Sequence, residues 1–369
     1  MKRQFCYSLI IVFLFFSCRD VDKGELLVIP VDTSSDVSLP LSTITDEITA
    51  VELDFTEESL INPDGISSVH LFENHIYLPL HLQNKILVFD MDGKFVRSIG
   101  SKGQGPGEFL ILLKFAIDEK NKRLIVVDYS KIICYDLNGK LLFQTSAVSL
   151  EKGKLVYDIN RVNDEIFVFV DQYKRTDAKG TFSQPQIYRM NDDFQIIDSL
   201  TVRKTYYERL DTYGYIRYLI LNNSNTNSYI YFPDHSWQLN KVSNATLRDT
   251  LYRFENNQLI PDLKLKFKNV RSSDDDYPTE IVGIYRSDRY VFATYLNHGF
   301  FIFCYDTKTG NGYNMKNSGF TDDIHKIDKR IEIHPFANDT ELFYYWHTHM
   351  DKDDLNEPNP TLYIGRLKR

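Results

Sequence analysis

Cysteine, basic stretches and long apolar runs are all scarce in this 369-residue chain, and each shortage narrows the function. Two of the four cysteines, Cys6 and Cys18, fall in the N-terminal segment, so Cys134 and Cys304 form the one conceivable disulfide in the body of the chain. The 43 Lys and Arg residues are scattered among 51 Asp and Glu, giving a net charge of −8. With no basic stretch beyond the N-terminus, a phosphate-backbone partner is argued against and no nucleic acid is expected. The apolar run Phe5 to Phe16 is 12 residues long, well short of the roughly 20 that cross a bilayer. Preceded by Lys2 and Arg3, it reads as a targeting segment rather than as fold. Catalytic signatures are missing too. There is no GxSxG, no HExxH-like spacing and no EF-hand loop.

What the chain has is aromatics, 24 Tyr and 25 Phe, arranged in a repeat. Six short apolar strands, HIYLPL (His75 to Leu80), RLIVVD (Arg123 to Asp128), EIFVFV (Glu165 to Val170), YIYFPD (Tyr229 to Asp234), YVFATY (Tyr290 to Tyr295) and ELFYYW (Glu341 to Trp346), are each followed by a second strand. The second strands carry Phe89, Tyr135, Tyr188, Tyr252, Tyr305 and Tyr363, spaced by 46, 53, 64, 53 and 58 residues. A repeat of strand pairs at that period is one blade of a β-propeller. Four antiparallel strands per blade require neighbours on both sides. Upstream strands are expected at Ile66 to Phe72, Phe109 to Asp118, Leu155 to Val162, Tyr215 to Leu221, Glu280 to Tyr285 and Arg330 to Phe336. Downstream strands are expected at Lys94 to Gly100, Lys140 to Val148, Phe194 to Val202, Leu259 to Phe267 and Gly312 to Lys316. Asp92-Gly93, Asn138-Gly139, Asn191 to Asp193 and Asn256-Asn257 supply the hairpin turns.

The sixth unit lacks a fourth strand, and a bare sheet edge is a pairing hazard that rings close with the other terminus. Glu47 to Phe55 (EITAVELDF) alternates as a strand and has no blade of its own, so it is expected to close the last blade. The expected fold is thus all-β: a six-bladed β-propeller whose last blade is closed by an N-terminal strand. The long 64-residue interval leaves five- or seven-bladed counts open. Cys134 and Cys304 both occur as Cys-Tyr-Asp, in the second and fifth units. In a six-membered ring these face each other across the axis, beyond the about 7 Å between Cα atoms that a bridge spans. Both therefore read as small buried apolar residues.

Ser17-Cys18 after the apolar run resembles the lipobox of bacterial lipoproteins, with Phe15 departing from its usual Leu. The resemblance implies a signal peptide over 1–17, acylation of Cys18 and a bilayer as partner. A plain secretory signal with an incidental Cys is the alternative. Residues 18–40 then read as tether and 41–369 as propeller. Gly100 to Phe109 (GSKGQGPGEF), with Ala116-Ile-Asp118 and Ile125 to Asp128, looks like NHL-type propeller repeats. Gly103, Gly105 and Gly107 would permit a tight positive-φ path there, with Pro106 limiting its freedom. Together with the ending Asn359 to Lys368, these features are similar to the six-bladed β-propeller lipoproteins of Bacteroidetes. That implies an exported protein anchored in the cell envelope, at the outer membrane. The resemblance brings no catalytic residues with it.

Loops between second and third strands, and links between blades, share one face. There the strand map gathers His81, Tyr129, Tyr173, Arg175, Tyr206, Tyr207, Arg209, Tyr213, His235, Trp237, His298, His347 and His349. Aromatic and charged side chains on loops over a rigid scaffold suit a glycan, a peptide or an envelope protein. The same residues would also serve simply to pack long loops together. His347 and His349, with His298 or His235, have the residue types of a zinc site. Asp274 to Asp276 and Asp351 to Asp354 offer calcium ligands, or are solvated acidic loops. No cofactor is expected, zinc or calcium being the exceptions to test. The leading reading is non-catalytic recognition. The alternatives are a metal-dependent hydrolase or lyase, lactonase- or esterase-like, with its site at the channel mouth, and a structural scaffold of an envelope complex.

Overall fold

A computed structural model describes residues 26–146, 154–162, 164–209, 219–222, 227–233, 241–242, 247–255, 258–270, 279–316, 319–348 and 358–369. The chain begins with β1 (Leu27–Asp32) and β2 (Thr45–Glu52). Blade 1 follows as β3 (His70–Phe72), β4 (His75–Leu80), β5 (Lys85–Asp90) and β6 (Phe95–Ile99). Blade 2 is β7 (Lys114–Asp118), β8 (Arg123–Val127), β9 (Lys131–Asp136) and β10 (Leu141–Ser146). Blade 3 is β11 (Lys154–Val162), β12 (Glu165–Asp177), β13 (Gly180–Met190) and β14 (Ile196–Thr201), with β15 (Thr205–Arg209) added to the far end of β13. Blade 4 is β16 (Leu219–Asn222), β17 (Ser228–Tyr231), β19 (Thr250–Glu255) and β20 (Gln258–Lys268), while β18 (Lys241–Val242) pairs with β15. Blade 5 is β21 (Glu280–Arg286), β22 (Tyr290–Leu296), β23 (Phe300–Asp306) and β24 (Asn311–Lys316). After a ribbon of β25 (Phe320–Thr321) and β26 (Arg330–Ile331), blade 6 is β27 (His334–Pro335), β28 (Leu342–His347), β29 (Thr361–Leu367) and the N-terminal β2. The six blades form a ring, a β-propeller.

The ring closes as the unpaired edge requires. β2 lies antiparallel to β29, with Ile48 opposite Gly365 and Glu52 opposite Thr361. The closing strand is displaced from Glu47–Phe55 to Thr45–Glu52, because Leu53 leaves the sheet for the core beside Ile61. Three first strands are shorter than expected. Ile66 makes only an isolated bridge to Leu80, Phe109 belongs to the interblade link, and Arg330–Ile331 pairs with Phe320–Thr321 instead of blade 6. Among the described residues of the longest interval, the additional strands are β15 and β18, not a seventh blade. Leu27–Asp32, assigned above to the tether, is a strand: β1 runs parallel to β20 as a fifth strand on the outer edge of blade 4.

The core is six slabs, one between each pair of neighbouring blades. Second strands are buried on both faces, which is why they read as unbroken apolar runs rather than alternating ones. In β8, Leu124 and Val126 enter the slab toward blade 1 while Ile125 and Val127 enter the slab toward blade 3. β12 divides Ile166, Val168 and Val170 from Phe167 and Phe169 in the same way. The repeating aromatics Phe89, Tyr135, Tyr188 and Tyr363 are buried, and Tyr252 and Tyr305 half-buried, each in the slab toward the preceding blade. β-Bulges fall beside Phe89, Tyr135 and Tyr252 in the third-to-fourth strand pairs, where the added twist fits the outer strand to the next blade. Cys134 and Cys304 are free and buried, in the slabs after blades 2 and 5. Burial pushes the Cys134 thiol up to about 12.

Candidate functional site

The face that carries the interblade links is stitched together by side-chain acceptors. In the link from blade 6 to blade 1, the Ile61 N–H donates to Asn359 Oδ1 at 2.9 Å and the Asn62 N–H to Gln83 Oε1 at 2.9 Å. In the next link, the Leu112 N–H donates to Asn84 Oδ1 and the Leu110 N–H to Asp128 Oδ2, each at 2.9 Å. Each link is thus held by the second-to-third loops of both blades it joins. Gln83 Nε2 also donates to the Leu60 carbonyl at 2.9 Å and Lys85 Nζ to the Glu58 carbonyl at 3.2 Å. Burial draws the Lys85 pKa down. A loop fixed this way is a rigid support rather than a mobile one.

This rigid platform holds large apolar side chains in water. Leu60 is 47% exposed, Leu82 56%, Leu110 42%, Ile111 38% and Tyr129 49%, on consecutive loops over blades 6, 1 and 2. Large exposed apolar side chains on consecutive loops make this surface the candidate site. The Gly-rich link forms its edge. Positive φ occurs at Gly100 (76°) and Gly107 (71°), but Gly103 and Gly105 serve a different purpose from the positive-φ path expected of them. They make room for the Glu108 carboxylate, which accepts from the Gly105 N–H at 2.8 Å and would lie 2.1 Å from a Cβ on residue 103.

Over blade 3 the same face is built differently. β12 continues beyond Gln172, its last residue paired with β11, to Asp177, and β13 returns from Gly180 to pair with β15. On this arm Lys204 Nζ lies 3.7 Å from the centre of the buried Phe182 ring, and Arg175 lies 5.6 Å from it. Lys204 and the Tyr206 hydroxyl both donate to Asp177, whose pKa falls to about 2 through the Lys204 hydrogen bond above all.

The expected site residues separate into clamps, exposed groups and residues outside the described chain. His81 is a clamp: its ring Nδ1 lies 2.8 Å from the Gly65 carbonyl, which also accepts from the His81 backbone N–H at 3.0 Å. Tyr129 is exposed on the platform. Arg175 is exposed on the arm, 3.4 Å from Gln184 Oε1. Tyr206 joins Asp177 there, and the Tyr207 hydroxyl is buried 3.3 Å from Ser183 Oγ. Tyr173 and Arg209 lie in β12 and β15, their side chains outside the described structure. His298 is exposed at φ 54° in the Asn297–Gly299 turn, and His347 is half-buried at the end of β28, opposite Thr361. Cys18, Tyr213, His235, Trp237 and His349 lie outside the described residues, as do Asp274 to Asp276 and Asp351 to Asp354. Among the described residues, no three His, Cys, Asp or Glu side chains are placed to hold a metal ion.

Sequence reasoning overlooked Leu60, Leu82, Leu110 and Ile111 by looking for aromatic and charged groups in loops. Their signal was apolar residues inside connections that otherwise carry turn and hydrogen-bonding residues, as in His81-Leu82-Gln83-Asn84. It also overlooked a buried ionic network where the first-to-second strand hairpins of blades 2 and 3 meet. The Asp118 carboxylate accepts from Arg123 Nε at 2.8 Å and from Arg161 Nε and Nη2 at 2.5 and 2.7 Å. Burial alone would raise the Asp118 pKa, yet hydrogen bonds from Arg161 and Asn121 hold it below the ordinary value.

Fold and face together define a six-bladed β-propeller in which the links on either side of blade 1 are woven into a rigid platform. The chain belongs to the family described as domain of unknown function DUF4934, which matches residues 26–362. Among solved structures it is similar to a Bacteroides fragilis protein described as inferred to be exported. That match has 18% identity and a TM-score of 0.64, and covers 93% of this chain and 100% of that one. A Bacteroides vulgatus member of the DUF4221 family matches at 11% identity and a TM-score of 0.45, covering 88% of this chain and 97% of that one. At 18% identity the likeness to the Bacteroides fragilis protein shows the fold alone. No curated protein matches the sequence.

Proposed function

We propose that the protein is an exported lipoprotein, anchored in the cell envelope through acylated Cys18, that binds a protein or peptide partner on its link-bearing face without catalysis. The observation that carries this reading is the row Leu60, Leu82, Leu110, Ile111 and Tyr129, held exposed by loops that are themselves fixed by hydrogen bonds. Rigid loops lose little entropy on binding, so burying these side chains is available as binding free energy. Four of the five are aliphatic. Sugars stack on aromatic faces, so an aliphatic row suits apolar side chains of a polypeptide better than a glycan. Export accords with the N-terminal run, and with the description of the Bacteroides fragilis relative as an exported protein.

The test is photo-crosslinking in the native cell, with a photoreactive residue at Leu82 or Ile111 and a control at Leu142, which is equally exposed on the outer strand of blade 2. A discrete protein adduct at 82 and 111 but not at 142 is the expected result. Adducts at all three positions, or at none, would overturn the reading. Replacing Cys18 with Ala is expected to move the protein from the membrane fraction to the soluble fraction.

A further inference from the structure

How the chain enters the ring fixes how the ring sits on a membrane, and this inference rests on the Cys18 anchor proposed above. β1 is parallel to β20, with Leu27 opposite Leu263 and Asp32 opposite Lys268. β20 starts at the hairpin where Glu255 pairs with Gln258, on the face opposite the platform. β1 therefore runs from the middle of β20 toward the link-bearing face, and the chain enters it from the hairpin side, at the outer edge of blade 4. Beyond it the chain is strapped across blades 5 and 6. Asn314 Nδ2 donates to the Asp32 and Ser35 carbonyls at 3.2 Å, the Val37 N–H donates to the Asn314 carbonyl at 2.8 Å, and the Thr321 N–H donates to the Leu39 carbonyl at 3.0 Å. Leu39, Leu41 and Ile44 are buried in the slab between those blades. The point where the tether leaves the ring is thus fixed.

Nine residue steps separate Cys18 from Leu27, a reach of at most about 30 Å fully extended. A bilayer that holds Cys18 lies within that distance of blade 4. The surface there has a suitable character. Ile29, Val31, Leu263, Leu265 and Phe267 turn into the slab toward blade 5, which leaves Val28, Pro30, Lys264, Lys266 and Lys268 facing outward. Leu26 is 38% and Val28 49% exposed. Lys264 pairs with Asp249 at 3.4 Å and Lys268 with Asp32 at 3.2 Å. Lys264 and Lys266 stand beside Val28 and Pro30 on the neighbouring strand, and lysines set among exposed aliphatic groups fit a headgroup layer, the ammonium meeting phosphate. The chain's net charge of −8 supplies no general attraction to such a surface. The acyl chains provide the affinity and this edge the orientation.

We propose that the outer edge of blade 4, through Leu26, Val28 and the Lys264–Lys266–Lys268 row, rests on the lipid headgroups of the bilayer that holds Cys18. Blades 1 and 4 lie across the ring from one another. The platform over blades 6, 1 and 2 is therefore on the far side of the ring, open to a partner away from the membrane.

The test uses the full-length protein extracted from membranes, labelled with a fluorophore at Lys266→Cys or at Val96→Cys. Val96 is 39% exposed on the outer strand of blade 1, and the buried Cys134 and Cys304 stay unlabelled in the folded protein. The protein is reconstituted on phosphatidylethanolamine–phosphatidylglycerol vesicles carrying a nitroxide headgroup quencher. Several-fold stronger quenching at 266 than at 96 is expected. Flotation with the vesicles but equal quenching, or stronger quenching at 96, would overturn the orientation and leave the anchor standing. Failure to float would overturn the anchor and the orientation with it.

Discussion

At Asp118 a carboxylate with no solvent exposure is held between Arg123 and Arg161, whose side chains are only 7% and 8% exposed. Removing the anion leaves two buried guanidinium groups without their main partner. Asp118→Ala is therefore expected to cost about 3–5 kcal/mol, read from denaturant unfolding. A second residue-scale prediction concerns His70, buried on the innermost strand of blade 1 against the Phe115 ring, with Ser68 Oγ 2.8 Å from Nε2. Burial lowers its pKa from 6.5 to about 4. The neutral ring is favoured in the folded state, so its contribution is fully present above pH 6.5 and lost as the pH falls from 6.5 toward 4. Urea midpoints should fall across that window in the wild type, and His70→Gln should flatten this part of the profile. Asp118, Asp177 and Asp306 have lowered pKa values, so their contributions disappear only below about pH 4.

Among the elements, the third-to-fourth strand hairpins show how local chemistry repeats even where the sequence does not. Asp90, Asp136 and Asn191 each accept from the backbone N–H groups two and four residues on, and Asp306 caps the corresponding turn through Lys308 and Thr309. These turns also pack against the preceding blade. At Gly93 (φ 84°) a Cβ would lie 2.0 Å from the Glu52 carbonyl oxygen of the closing strand. At Gly139 the nearest atom is a side-chain carbon of Ile99 at 3.1 Å. Gly93→Ala should therefore destabilise the protein by more than Gly139→Ala, the shared positive-φ strain being about 1–3 kcal/mol. Equal melting temperatures for the two variants would show that β2 gives way without cost. The hairpins and all six strand pairs were legible because they depend on neighbours in sequence: a turn residue, an Asx acceptor, an apolar run. β1 was not. Leu27–Asp32 is held by Leu263–Lys268, more than two hundred residues away, and nothing local distinguishes such an edge strand from a tether. The proline at position 30 obscures it further, although an outermost strand tolerates proline.

For the whole molecule, the ring separates its packed core from the face proposed for binding. The slabs hold the buried aromatics, and the exposed aliphatic row stands on loops outside them. Leu82→Glu combined with Ile111→Glu should then leave the melting temperature within a few degrees of wild type, since exposed sites typically change stability by less than about 0.5 kcal/mol. The same variant should lose the crosslinked partner. A large fall in melting temperature would mean that these side chains pack the platform instead of serving it. The ring also explains the free thiols. Cys134 and Cys304 occupy equivalent places in opposite slabs, and both should resist a thiol reagent at pH 8 until the protein is unfolded.

Period, strand pairing, turn chemistry and the need to close an unpaired edge are properties of short segments and of their spacing. For that reason the sequence by itself determined a propeller of strand-pair blades, the closing role of the N-terminal strand and the solitude of the two buried cysteines. The count of six was settled by the structure, which builds no further blade among the described residues of the 64-residue interval. Which loop residues face solvent depends on what the neighbouring blade places against them. Only the tertiary structure made His81 a clamp on the Gly65 carbonyl, left Leu82 beside it exposed, and laid β1 along the edge of blade 4. Burial of a loop side chain is decided by contacts between distant segments, and a periodic pattern carries no record of them.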